Sequence, residues 1–115
     1  MARDDFLERY EDLKADFLGR PGVALGRSLH RDTLTVNGKL FASATKDGLL
    51  IKVGERRVGE LFDAGAVIVF RGSAGRVMRE WAVALADADW PALAAESMAF
   101  VAAGLDTPRR GYSTT

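Results

Sequence analysis

The stretch that decides the fold is DTLTVNGKLFASATKDGLLIKV, residues 32–53. Its first residues alternate. Leu34 and Val36 face one way, Thr33 and Thr35 the other, which is the period-two pattern of a strand with one buried face. Asn37-Gly38 follows directly. A tight two-residue hairpin turn needs positive φ at both central positions, and Asn-Gly accepts it readily. Asp47-Gly48 repeats the signal ten residues later. The runs between and after these turns, LFASATK and LLIKV, complete a meander. Strands are predicted near 23–29, 32–36, 39–45 and 48–53, the first interrupted by Gly26.

Working outward, the preceding segment DDFLERYEDLKADFLGRPG reads as a helix over about 4–18. Phe6, Tyr10, Leu13 and Phe17 recur at helical spacing, and Leu7, Lys14 and Leu18 flank that stripe. Asp4 or Asp5 is placed to cap its start, and Gly19 and Pro21-Gly22 stop it. After the meander, GERRVGELFDAG gives a short helix near 55–63, with Val58, Leu61 and Phe62 on one face and Gly65 past its end. AVIVF, at 66–70, is a short apolar run of the kind expected for a buried strand. EWAVAL predicts a further strand near 79–85. DADWPALAAESMAFVAAGL is a helix capped by Asp87 or Asp89, with Pro91 tolerated in its first turn. Trp90, Leu93, Ala94, Ser97, Met98 and Val101 define its face, and Gly104 ends it. Residues 1–104 thus make a single domain, with 105–115 expected to be a mobile tail.

Strands come in hairpin-linked runs rather than in strict alternation with helices. The expected class is therefore α+β: a two-layer sandwich with an antiparallel sheet of five to six strands and helices on one face. The other face must meet solvent or another chain.

Bulk composition narrows the chemistry. The 115 residues suffice for one core without metal or disulfide support. The chain has no cysteine, which removes disulfides, thiolate metal sites and cysteine nucleophiles and suits a reducing, cytoplasmic setting. Its start is acidic and lacks the apolar run of a signal peptide, and no stretch is long and apolar enough to span a membrane. Sixteen basic residues balance sixteen acidic ones. A dedicated nucleic-acid binder usually carries a basic excess, because it neutralises phosphates.

The densest chemistry lies in FRGSAGRVMREW, residues 70–81. Gly72-Ser73-Ala74-Gly75 has the G-x-x-G spacing with which some RNA-binding folds clamp a backbone. It matches neither phosphate-loop pattern, and a strand follows it, so no helix N-terminus waits there. The bland reading is a strand-to-strand connection. What remains is a candidate anion or nucleic-acid contact built from Arg71, Arg76 and Arg79 with Arg56 and Arg57. His30 is the only histidine, and no set of metal ligands or nucleophile accompanies it. Glu8, Asp12 and Asp16 fall at i, i+4 spacing, the usual mark of a solvated helix face rather than of a metal site. No G-x-S-x-G elbow is present. Trp81 and Trp90 read as core anchors. Catalytic residues, metal ligands and cofactors are expected to be none.

Several of these segments together resemble a known family. Val36-Asn37-Gly38-Lys39-Leu40-Phe41-Ala42, then Leu49-Leu50-Ile51-Lys52-Val53, then Met78-Arg79-Glu80-Trp81, then the C-terminal helix, are similar in order and spacing to the TfoX/Sxy N-terminal domain. The hairpin segment also looks like the sister YjbR-type domains. The resemblance implies a secretion-chaperone-like α+β sandwich, often dimeric, and a regulatory role, since the founding members regulate competence genes. It supplies no catalytic residues. Where the family has a Met-Phe-Gly-Gly-like segment, this chain has Gly26-Arg27-Ser28-Leu29-His30-Arg31.

Three functional expectations follow in order. The first is a non-enzymatic regulatory or protein-interaction domain acting as a homodimer. The second is a nucleic-acid-binding or transcription-regulating module using the arginines. The third is a small-ligand-binding domain with a pocket around His30 and Trp81.

Overall fold

The computed structural model describes residues 3–28 and 31–104. His30 and the tail expected at 105–115 lie outside the described residues. The elements are α1 (Arg3–Phe17), β1 (Val23–Ser28), β2 (Arg31–Val36), β3 (Lys39–Ala44), β4 (Leu49–Lys52), α2 (Glu55–Asp63), β5 (Val67–Arg71), β6 (Val77–Ala84) and α3 (Trp90–Ala102). They form the expected α+β sandwich, with one antiparallel sheet of six strands in the order β1-β2-β3-β4-β6-β5.

The hairpin signals hold with one difference. Asn37 (φ 54°) and Gly38 (φ 84°) both take positive φ, as a two-residue turn between Val36 and Lys39 requires. Asp47-Gly48 does not make a second such turn. β3 ends at Ala44 and β4 begins at Leu49, and the Thr45 hydroxyl accepts from the N–H groups of Asp47 and Gly48, both at 3.1 Å. Gly48 is required there for a different reason. A Cβ at that position would sit 1.9 Å from the Ala84 carbonyl oxygen.

The chain crosses over once. After β4, α2 carries it to the far edge, where β5 runs parallel to β4, and β6 then turns back into the gap between them. The register lays out rows across the sheet. Leu34, Ala42, Ile51, Ala82 and Val69 form one row on the helix side, and Ala44, Leu49, Ala84 and Val67 form the next. These small and branched residues let the helices approach closely. Tyr10, Leu13 and Phe17 of α1, Val58 and Leu61 of α2, and Trp90, Leu93, Ala94 and Val101 of α3 complete that core.

Local details anchor each helix. α1 begins at Arg3, so Asp4 and Asp5 fall inside its first turn instead of ahead of it. Arg9 of α1 lies 3.9 Å over the Trp90 ring and donates to the Ala86 and Ala88 carbonyls. Asp89 caps α3 by accepting from the Ala92 N–H, and the Trp90 indole donates to the Leu85 carbonyl at 3.0 Å. Ser97 is fully buried where the β3–β4 pairing ends, just beyond the Ala42–Ile51 pair. Its hydroxyl accepts from the Lys52 N–H at 2.8 Å and lies within donating distance of the Phe41 (2.7 Å) and Lys52 (3.0 Å) carbonyls.

Two expectations need correction. AVIVF is not a buried strand. β5 is the last strand of the sheet, and Ile68 and Val69 are 37% and 36% exposed. Nor is Trp81 a core anchor: it stands outside the core, half-buried on the opposite side of the sheet. A smaller difference is that β6 starts at Val77 rather than near 79.

Candidate functional site

The three helices feed the same core, and among the described residues no helix covers the other side of the sheet. That side has its own row, running from β2 to β5: Thr33, Ser43, Leu50 and Val83, all buried, and then the exposed Ile68. It is polar at the β2 end and apolar at the β5 end. Next to it lie Lys52, Trp81 and Phe70. The Phe70 and Trp81 rings are 6.4 Å apart and tilted at 53°, and Lys52 Nζ is 5.2 Å from the Trp81 ring centre. An aromatic pair with a cation at its rim is a common feature of contact surfaces, where a large apolar area is held rigid at little entropic cost.

The apolar half continues over the edge. Of the large hydrophobic side chains left exposed, Ile68 and Val69 belong to β5, Val77 to the paired start of β6, and Phe62 (53% exposed) to the end of α2, which packs on β5 and β6. A cleft of about 600 Å³ lies between the β3–β4 turn and β5, lined by Thr45, Lys46, Asp47, Phe70, Arg71 and Val83 among others. Edge strands normally carry charge, proline or a covering element, because their free N–H and C=O groups recruit other strands. From Ala64 to Phe70 the chain has no charged residue.

The five candidate arginines divide into two groups. Arg57 makes a forked contact with Glu96 (2.7 and 3.3 Å) and reaches Glu60 at 3.1 Å. These carboxylates, Glu96 first, hold the Arg57 pKa above its ordinary value. Arg56 pairs with Glu60 at 3.7 Å, and Arg79 with Glu55 at 3.8 Å. Arg71 and Arg76 sit instead at the β5–β6 connection, where Arg71 donates to the Gly75 carbonyl. That connection is the G-x-x-G segment, a single 3₁₀ turn in which the Gly75 N–H donates to the Gly72 carbonyl, while the Gly72 N–H donates to the Arg76 carbonyl at its base. Three of the arginines therefore face carboxylates beside α2, and two cap a hairpin.

A second cleft, about 340 Å³, opens between α1 and the β3–β4 turn, with Phe6, Leu7, Tyr10 and Ala44 as apolar walls. Lys14 closes one side, bound to Glu11 at 2.8 Å and Asp32 at 3.4 Å. The Tyr10 hydroxyl donates to the Asp32 carbonyl. Trp81 does not line this cleft, and His30 is not among the described residues. Among those residues no group of His, Cys, Asp and Glu side chains is placed to hold a metal ion, and no helix is long and apolar enough to cross a membrane.

Comparison with family models, with curated proteins and with solved structures gives no match for this chain.

The sequence reading missed Trp81 and Phe70 as surface groups. The signal was present in VMREWAVA. Arg79, Trp81 and Val83 alternate with Glu80, Ala82 and Ala84, and alanines on one side mark the face against which helices pack closely.

Proposed function

We propose that this domain works through contact with other proteins rather than through catalysis, and that it does so as a cytoplasmic homodimer. A regulatory role of the kind implied by its resemblance to TfoX/Sxy N-terminal domains fits this reading. The observation that carries it is the apolar end of the sheet face that no described helix covers: Ile68 is exposed, Phe70 and Trp81 are half-buried beside the buried Leu50 and Val83, and the face joins an edge strand uncharged from Val67 to Phe70. Apolar surface gathered in one place is a signal for an interaction site, whereas the same side chains scattered singly are not.

The mixed charge around the arginines weighs against the nucleic-acid reading. Phosphate binding there would have to displace Glu55, Glu60 and Glu96 from their cations. Sedimentation velocity over a wide concentration range tests the proposal. A concentration-dependent dimer is expected, and a monomer at every concentration refutes the dimer. Retention of labelled single strands or duplex at low salt, lost on Arg57→Ala or Arg79→Ala, would favour the nucleic-acid module instead.

A further inference from the structure

The structure assigns a seam to this dimer: β5 pairs antiparallel with β5 of a second copy, across a twofold axis at Val69, so that the two sheets become one. The inference rests on the homodimer reading and goes further by naming the surface and the register.

The register follows from which backbone groups point outward. The Leu85 N–H donates to the Ala66 carbonyl at 2.9 Å, so Ala66 faces β6. Peptide groups alternate along an antiparallel strand, which turns Ile68 and Phe70 inward and Val67 and Val69 outward. Past the irregularity that follows Val69, the Gly72 N–H again bonds inward, to the Arg76 carbonyl, leaving Arg71 outward. The free edge thus offers the N–H and C=O groups of Val67, Val69 and Arg71. This row is self-complementary. With Val69 on the axis it bonds to its own copy, and Val67 bonds to Arg71 of the second chain, about six hydrogen bonds in all.

The side chains agree with this register. On the open face, Ile68 of each copy lands opposite Phe70 of the other, a branched–aromatic pair of the kind that stabilises cross-strand contacts. The apolar stripe then runs unbroken through Val83, Ile68 and Phe70 into the second molecule. On the helix face, Val69 meets Val69, with the exposed Phe62 of α2 beside the seam. Charge agrees as well. Arg71 lands opposite Val67 of the second copy, close to where α2 ends at Asp63 with no basic residue in its last turn. A helix C-terminus and a carboxylate both favour a cation at that point. The segment that lies along the axis is uncharged, so no like charges face each other.

Because the chain has no cysteine, the geometry can be read with one introduced thiol. In a hydrogen-bonded antiparallel pair the Cα atoms stand about 5.5 Å apart, within disulfide range. Val69→Cys should form a disulfide-linked dimer on mild oxidation, and Leu7→Cys on α1 should not. Leu25→Cys on the opposite edge strand reports the competing seam. Val69→Lys sets two cations face to face and should raise the dimer dissociation constant on the order of 100-fold, with circular dichroism of the monomer unchanged. A wild-type dimer that Val69→Lys leaves intact, or that cross-links at Leu25→Cys in preference to Val69→Cys, overturns the seam while the homodimer reading stands. A wild-type chain that stays monomeric throughout overturns both.

Discussion

Ser97 is a polar residue in the middle of an apolar helix face, and its burial is complete. A buried hydroxyl is stable only if it is hydrogen-bonded, and here it also serves the backbone. Where the β3–β4 pairing ends at Ala42 and Ile51, Ser97 bridges the Phe41 carbonyl and the Lys52 N–H. Ser97→Ala takes that partner from the Lys52 N–H and the Phe41 carbonyl, and should cost about 1–3 kcal/mol in a chemical denaturation series. Tyr10 and Lys14 make a second residue-level prediction. Burial, then the nearby Asp32 and Glu11, raise the Tyr10 pKa above its ordinary 10.0. The Lys14 pKa is also raised, chiefly by its hydrogen bond to Glu11 and against the opposing effect of burial. Both groups hold their protons more tightly folded than unfolded. The unfolded chain therefore releases protons first as pH rises, and the stability these groups contribute is complete below about pH 10 and lost above it. Denaturant midpoints measured from pH 8 upward should fall beyond pH 10, and Tyr10→Phe should flatten that fall.

At the scale of elements, the two tryptophans separate the two sides of the sheet. Trp90 is buried against Phe6 and Arg9, whereas Trp81 stands on the open face. Trp90→Ala should cost about 3–5 kcal/mol. Trp81→Ala should cost less than half of that and should remove most of the acrylamide-quenchable fluorescence. The difference shows what the sequence made legible. The buried faces of α1 and α3, the Asp89 cap and the Asn37-Gly38 turn are local effects, readable from spacing and turn chemistry, whereas the expected Asp4 or Asp5 cap falls inside α1 and Phe62 is exposed at the end of α2. The position of a strand within a sheet is not local. AVIVF has the composition of a central strand, yet α2 carries it past β4 to the edge and leaves the central place to β6. Nothing within those five letters records that choice. The same reversal moved Trp81 from an expected core position to the surface, and with it the candidate site. For the arginines, helix spacing within α2 reaches the Glu60 partner of Arg56 and Arg57, but the contacts of Arg57 with Glu96 and of Arg79 with Glu55 join separate elements, which no spacing rule records.

For the whole molecule, the sandwich is one-sided among the described residues: the helices pack on one face, and the other, graded from polar to apolar, carries no described helix. A dimer that dissociates as it unfolds has a melting midpoint that rises with protein concentration. A hundredfold increase should raise it by about 5 °C, and the rise should vanish in Val69→Lys. The buried Ser97 has a consequence for how such a chain is made. All six strands precede α3 in the order of synthesis. A nascent chain that has emerged only to the end of β6 holds every strand but cannot yet close the gap between Phe41 and Lys52, because the group that closes it is still inside the ribosome. The helix α3 is the fastener of this gap. A premature stop before it would release a chain with these six strands but without the group that closes this gap, and so more exposed to strand-to-strand association than the finished fold.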